Sequence, residues 1–160
     1  MLRQFKYNYR EELLPVLGDW LVESIRTGPW LTSVEAVTCV PTHWRRQIRS
    51  RAYPAGELAR YVARRVDLPF VSILRRVRAG PHQVGLSHNE RLQNVIGAFG
   101  MRRGVELCDA RLLILDDVRT TGATLNECAK VLHRAGAAET YAAVVVRARA
   151  AHSQASVGGF

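Results

Sequence analysis

The stretch that decides the fold is "LLILDDVRTTGATL", Leu112 to Leu125. An apolar run of four meets two adjacent aspartates, Asp116 and Asp117; small hydroxyl residues and a glycine follow, and the pattern then turns helical. A buried strand ending in two carboxylates asks for a chemical reason. The loop after it supplies one. Small residues leading into a helix N-terminus present backbone N–H groups and the positive end of the helix dipole, which together make an anion site. Thr120, Thr121 and Thr124 add hydroxyl donors, and Gly122 lets the backbone come close to a guest. Phosphate suits that loop. The aspartates would repel it, but they can accept hydrogen bonds from sugar hydroxyls or help to hold Mg²⁺. A phosphate cradle with adjoining carboxylates describes a receptor for a ribose phosphate. The acidic strand end also fits an ATPase, but that needs a G-x-x-x-x-G-K-[ST] loop, and no glycine here is followed by lysine. A purely structural alternative has the aspartates cap a turn and the threonines cap a helix.

Working outward, the apolar spacing predicts alternating helices and strands. "REELLPVLGDWLVESIR" (10–26) reads as an amphipathic helix with Leu13, Leu14, Leu17, Trp20, Leu21 and Ile25 on one side, regular from about Pro15. Val34–Val40 is a strand stopped by Pro41. "PAGELARYVARRV" from Pro54 is a helix burying Ala55, Leu58, Ala59, Val62, Ala63 and Val66, with Arg60, Arg64 and Arg65 on its exposed side. Phe70–Leu74 is a short strand. Residues 75–97 form a mobile loop and then a short helix around Asn89–Val95, and "AFGM" (98–101) continues as strand. "ARLLIL" (110–115) is the strongest strand, Gly122–Ala135 a helix ended by Gly136, and "TYAAVVVRA" the closing strand. The tail 148–160 is expected to be flexible. This order implies an α/β fold, a mostly parallel β-sheet flanked by helices. Ligands bind beyond the carboxyl ends of such strands. The loops at 41–52 and 116–124 would share that edge.

The 160 residues are read as one domain, 1–160, with an N-terminal helical segment at 1–30. No segment is apolar and long enough to span a bilayer, and the start has no secretory h-region, so the expected location is cytoplasmic without membrane insertion. Cys39, Cys108 and Cys128 are far apart, each in or near an apolar run, and read as buried reduced thiols; no spacing argues for zinc. The net charge is +9, and residues 45–78 hold ten arginines against Glu57 and Asp67, so 10 − 2 = +8 falls in that segment. Such a patch suits a polyanion, a nucleic acid or a small phosphorylated compound, and equally a solvated basic face.

The run Asp116–Thr124 resembles the signature of type I phosphoribosyltransferases. "VPTHWRRQIRSRAYPAGELARYVAR" (40–64) and "QVGLSHNERLQNVIGAF" (83–99) extend the resemblance to the ComF competence family within that group, over about residues 34 to 147. ComF-like chains begin with a four-cysteine, zinc-finger-like segment; that segment is absent here, and the sequence starts near the family's "K-Y", Lys6 and Tyr7.

The resemblance implies a type I phosphoribosyltransferase-like domain that binds phosphoribosyl pyrophosphate. Asp116 and Asp117 would meet the ribose hydroxyls, and Asp116, Asp117, Val118, Arg119, Thr120, Thr121, Gly122, Ala123 and Thr124 would surround the ribose 5-phosphate. Pro41, Thr42, His43, Trp44, Arg45 and Arg46 would form the pyrophosphate loop. Gln83, Arg91 and Asn94 would belong to a flexible loop closing over the substrate. Catalytic roles fall on Asp116, Asp117 and Arg91, with Mg²⁺ as cofactor arriving with pyrophosphate rather than on a protein ligand set. Trp44 has the chemistry to stack on a base and equally to anchor packing.

Two function classes follow. One is an enzyme, a phosphoribosyltransferase passing the phosphoribosyl group to an acceptor and linked to DNA uptake and competence. The other is a non-catalytic module of natural transformation that binds single-stranded DNA or senses the ligand, with competence proteins as partners. A dimer is compatible with both.

Overall fold

A computed structural model describes residues 13–41, 54–78, 94–119 and 122–147. Helix α1 (Leu13–Arg26) and a 3₁₀ turn (Leu31–Ser33) lead into β1 (Ala36–Cys39). Then come α2 (Pro54–Arg65), β2 (Leu74–Arg76), β3 (Phe99–Met101), β4 (Arg111–Arg119), α3 (Ala123–Arg134) and β5 (Glu139–Arg147). Strands β1, β4 and β5 form a parallel sheet in that order, with Ala36 opposite Leu112 and Arg111 opposite Glu139. Strands β2 and β3 pair antiparallel as a separate ribbon.

The unbroken apolar run of β4 is explained by its position. Leu112, Leu113, Ile114 and Leu115 are each no more than 2% exposed because the central strand is covered on both faces. Leu112 and Ile114 pack with Leu125, Cys128 and Leu132 of α3. Leu113 and Leu115 pack with Leu21, Val22 and Ile25 of α1 and with Leu58 and Val62 of α2. Burying each of these leucines contributes roughly 1.5–3 kcal/mol.

Several elements depart from the expectations. Among the described residues helix α1 covers Leu13–Arg26, inside the helix expected over 10–26. Trp20 is 64% exposed rather than buried. The buried face is Leu17, Gly18, Leu21, Val22 and Ile25, because α1 lies so close to α2 that a Cβ at Gly18 would collide with the Tyr61 ring. Tyr61 Oη donates to Asp19 Oδ1 at 2.8 Å and Arg65 reaches the same oxygen at 3.0 Å, fixing that orientation.

The expected strand Phe70–Leu74 is one bridge and a turn-off. Phe70 bridges Val37, with Val37 N donating to Pro69 O and Val71 N to Val37 O, both at 2.8 Å. The chain then leaves the sheet, so that Ile73 and Leu74 bury with Val95, Ala98 and Phe99. Strand β4 does not end at the aspartates but runs on to Arg119, pairing Asp116 with Val144 and Val118 with Val146. Hydrophobicity stops where burial stops, whereas the backbone ladder continues as long as β5 supplies partners. Cys39 and Cys128 are buried as expected, but Cys108 is exposed; all three are free thiols. Cys108 lies in the loop before β4, outside the ladder that buries the run after it.

Candidate functional site

Parallel pairing of β1 with β4 sets Cys39 opposite Leu115, and Val40 N donates to Leu115 O at 2.9 Å. Pro41, buried, therefore leaves the sheet beside the two aspartates, at the carboxyl edge. The expected juxtaposition of these two loops holds at its base. Thr42, His43, Trp44, Arg45 and Arg46 lie outside the described residues, as do Gln83, Arg91, Thr120 and Thr121.

Asp116 is 9% exposed and shares a strand face with Leu112 and Ile114, the face that α3 covers. Burial first, and the Asp116 carboxylate next, push the Cys128 thiol far above the usual cysteine range, so Cys128 stays a neutral core residue. Asp117, Val118 and Arg119 continue the β4 backbone.

Gly122 follows as the N-cap of α3 with φ 79°, a left-handed conformation that favours glycine. Glycine brings no capping side chain of its own, and the Asn126 amide donates to Gly122 O at 2.9 Å. Amides ahead of Asn126 have no intrahelical acceptor and point, with the dipole, toward the sheet edge. Ala123 and Thr124 are partly buried in this first turn. Asp116 and the Gly122-led start of α3 thus lie at one edge of the central strand.

Asn94 and Val95 are helical, and Val95, 1% exposed, packs in the core with α3. Gly97 N donates to Glu127 Oε2 at 3.3 Å, tying this segment to α3. Glu127 also accepts from Lys130 Nζ at 2.7 Å. The Lys130 bond, helped by the Gly97 amide, holds the Glu127 carboxyl below the usual range against desolvation. The carboxyl end of the segment expected to close over substrate is thereby tied to α3.

Two residues escaped the sequence. Thr38 is fully buried in β1, and its Oγ1 has no hydrogen-bond partner among the described residues. A threonine in a strand carries no mark of this, because burial is a tertiary property. Glu127 reads as a surface helix residue paired i,i+3 with Lys130; only the fold brings Gly97 to it. Among the described residues no three of His, Cys, Asp and Glu gather as a metal site.

On the opposite side of the sheet, Arg60, Arg64 and Arg65 are exposed as expected. Arg60 pairs with Glu57 at 2.9 Å and lies over the Phe70 ring at 4.9 Å from its centroid, while Arg65 pairs with Asp19. Exposed pairs of this kind contribute about 0–1 kcal/mol, so they yield to a stronger anion. No described helix is long and apolar enough to cross a membrane.

The model of the phosphoribosyl transferase domain family matches residues 52–156. The chain is 36% identical over 144 residues to Competence protein F of Haemophilus influenzae, covering 87% of this chain and 63% of that one. It is 30% identical over 145 residues to the DNA utilization protein YhgH of Salmonella typhi, covering 86% and 62%. It thus spans under two thirds of the length of these relatives. Among solved structures, the allosteric regulatory enzyme of purine biosynthesis superposes with a TM-score of 0.59 at 21% identity, over 90% of this chain and 30% of that one. Adenine phosphoribosyltransferase from Leishmania donovani superposes with a TM-score of 0.52 at 17% identity, over 87% and 55%. At these identities the structures establish the fold.

Proposed function

The chain belongs to the phosphoribosyl transferase domain family, and from that premise we propose that it binds phosphoribosyl pyrophosphate with Mg²⁺ and transfers the phosphoribosyl group in a process linked to DNA uptake. The observation that carries this reading is the edge of the central strand, where buried Asp116 adjoins a helix start led by left-handed Gly122. The α3 amides and the Thr124 hydroxyl hold the 5′-phosphate, joined by Thr120 and Thr121. Asp116 and Asp117 accept from the ribose hydroxyls. Pro41 to Arg46 receive the pyrophosphate.

An oxygen-rich ligand set suits a hard cation. Mg²⁺ would arrive with the pyrophosphate, and the Asp116 and Asp117 carboxylates are the oxygen donors that would hold it at this strand end. Bound there, Mg²⁺ would neutralise charge on the leaving pyrophosphate. The carboxylates would stabilise positive charge growing on the ribose C1, which is electrostatic catalysis aimed at developing charge. Arg91 would meet the leaving group, and closure of the segment that ends at Asn94 would exclude water.

A second reading is a module that binds single-stranded DNA or senses the ligand without turnover. The exposed arginines of α2 favour it, and so do the names of the two relatives. Calorimetry with phosphoribosyl pyrophosphate and Mg²⁺, followed by a pyrophosphate-release assay with candidate acceptors, tests both. Binding with release supports the enzyme, binding without release the sensor, and no binding removes the ribose-phosphate reading.

A further inference from the structure

The β2–β3 ribbon stands apart from the parallel sheet, pairing Leu74 with Met101, Arg75 with Gly100 and Arg76 with Phe99. Its inner face is core, since Leu74 and Phe99 are buried. Pleat alternation therefore puts Arg75, Val77 and Gly100 on the outer face. Residues 73–78 and 98–104 hold five arginines and no aspartate or glutamate. Arg75, Arg78, Arg102 and Arg103 are exposed, and none of these four is in an ion pair among the described residues. Helix α2 differs. Its Arg60 and Arg65 each already hold a carboxylate, on Glu57 and Asp19, which a phosphate would first have to displace. A face of uncompensated cations attracts an anion without that exchange.

We propose that the outer face of the β2–β3 ribbon, from Arg103 through Arg75 and Val77 to Arg78, is the surface that binds single-stranded nucleic acid. It rests on the single-stranded DNA reading above and gives it a surface other than α2. Apolar side chains stand among these cations. Val77 is 44% and Ile96 57% exposed, and Val77 N donates to Ala98 O at 2.8 Å, beside the start of β3. Gly100 leaves the ribbon open next to Val77, whose Cγ1 lies 3.2 Å from where a Cβ on Gly100 would stand. Arg75 Nε donates to Met101 O at 2.9 Å, which lays its guanidinium against β3. Arg78 comes within 4.0 Å of where a Cβ on Gly97 would stand. Arg102 N donates to Ile73 O at 2.8 Å, so Arg102 is level with Ile73. From that level to Arg78 the ribbon rises about 17 Å, the length of several nucleotides. The arginines meet phosphates, and Val77 and Ile96 meet the apolar faces of bases, which a duplex hides in its stack. A row of cations without interspersed acids matches a backbone charged at every step, which an acidic protein segment is not.

Fluorescence anisotropy of the full chain with a labelled oligothymidylate of roughly twenty nucleotides, over a salt series, tests this. Arg75→Ala with Arg78→Ala and Arg103→Ala should weaken binding by about tenfold or more. It should also flatten the slope of log affinity against log salt by about 2, since each lost phosphate contact removes about 0.7. Val77→Ser with Ile96→Ser should weaken binding with the slope unchanged, the mark of base contacts. Should the triple variant fail to fold, Arg78→Ala with Arg103→Ala decides, both lying beyond the paired residues of the ribbon, with a slope change of about 1.4. A hairpin duplex that competes as well as the single strand, polyglutamate that competes as well (a surface for acidic protein segments), or a loss no greater than that from replacing Arg60, Arg64 and Arg65 would each overturn the proposal while DNA binding itself stands. No binding even at low salt would remove it together with the reading it rests on.

Discussion

Replacing both aspartates, Asp116→Asn with Asp117→Asn, separates sugar from phosphate recognition. Asn keeps the size of Asp but loses the charge and one acceptor oxygen. If both carboxylates accept from ribose hydroxyls, each charge-assisted bond is worth about 1.5–3 kcal/mol, and the pair about 3–6 kcal/mol. That is roughly 10²- to 10⁴-fold in the Kd of phosphoribosyl pyrophosphate. Inorganic phosphate would touch only the helix start under this reading, and losing two nearby negative charges should leave its binding equal or slightly tighter. Folding should change little, because Asn keeps the shape of Asp at this buried position. Isothermal titrations with each ligand beside a thermal melt read all three quantities. A stable double variant that binds phosphoribosyl pyrophosphate at wild-type affinity refutes the sugar assignment. Lost stability with both ligands weakened alike would instead make the aspartates structural.

Replacing Arg60, Arg64 and Arg65 with alanine should weaken single-stranded DNA binding and reduce its salt dependence while leaving ribose-phosphate affinity nearly intact; gel shifts over a salt series would check this, and no binding even at low salt removes the DNA-module reading. Thr38→Val should raise stability by about 1 kcal/mol in urea unfolding, since its buried hydroxyl has no partner, and a loss instead would reveal a ligand or water on that oxygen. Because the folded-state carboxyl of Glu127 titrates below its unfolded value, its contribution is present at neutral pH and fades as pH falls through the folded pKa. Glu127→Gln should therefore lower the melting temperature near about pH 7 and approach wild type near about pH 3; a pH-independent difference would contradict the tether to Gly97.

The sequence by itself determined the kind of sheet and the strand-to-helix step where the candidate site is proposed. Leu112–Leu115 is apolar without alternation because both faces of β4 are covered, and periodicity carries that information directly. Gly122 and Gly136 marked the ends of α3 because φ values of 79° and 98° leave glycine little competition. The Asp116–Thr124 run was legible because strand, small-residue loop and helix are contiguous, so local chemistry and local geometry coincide. Only the tertiary structure decided the rest. Trp20 faces solvent because Gly18 admits Tyr61, a choice made between two helices far apart in sequence. Phe70–Leu74 pairs at one residue because its later residues bury against the segment around Val95. β4 outlasts its apolar run because β5 continues the ladder, and backbone pairing leaves no trace in side-chain hydrophobicity. Thr38, Glu127 and the outer face of the β2–β3 ribbon became visible for the same reason: burial, partners and exposed faces are properties of what lies opposite, and what lies opposite is set by the fold.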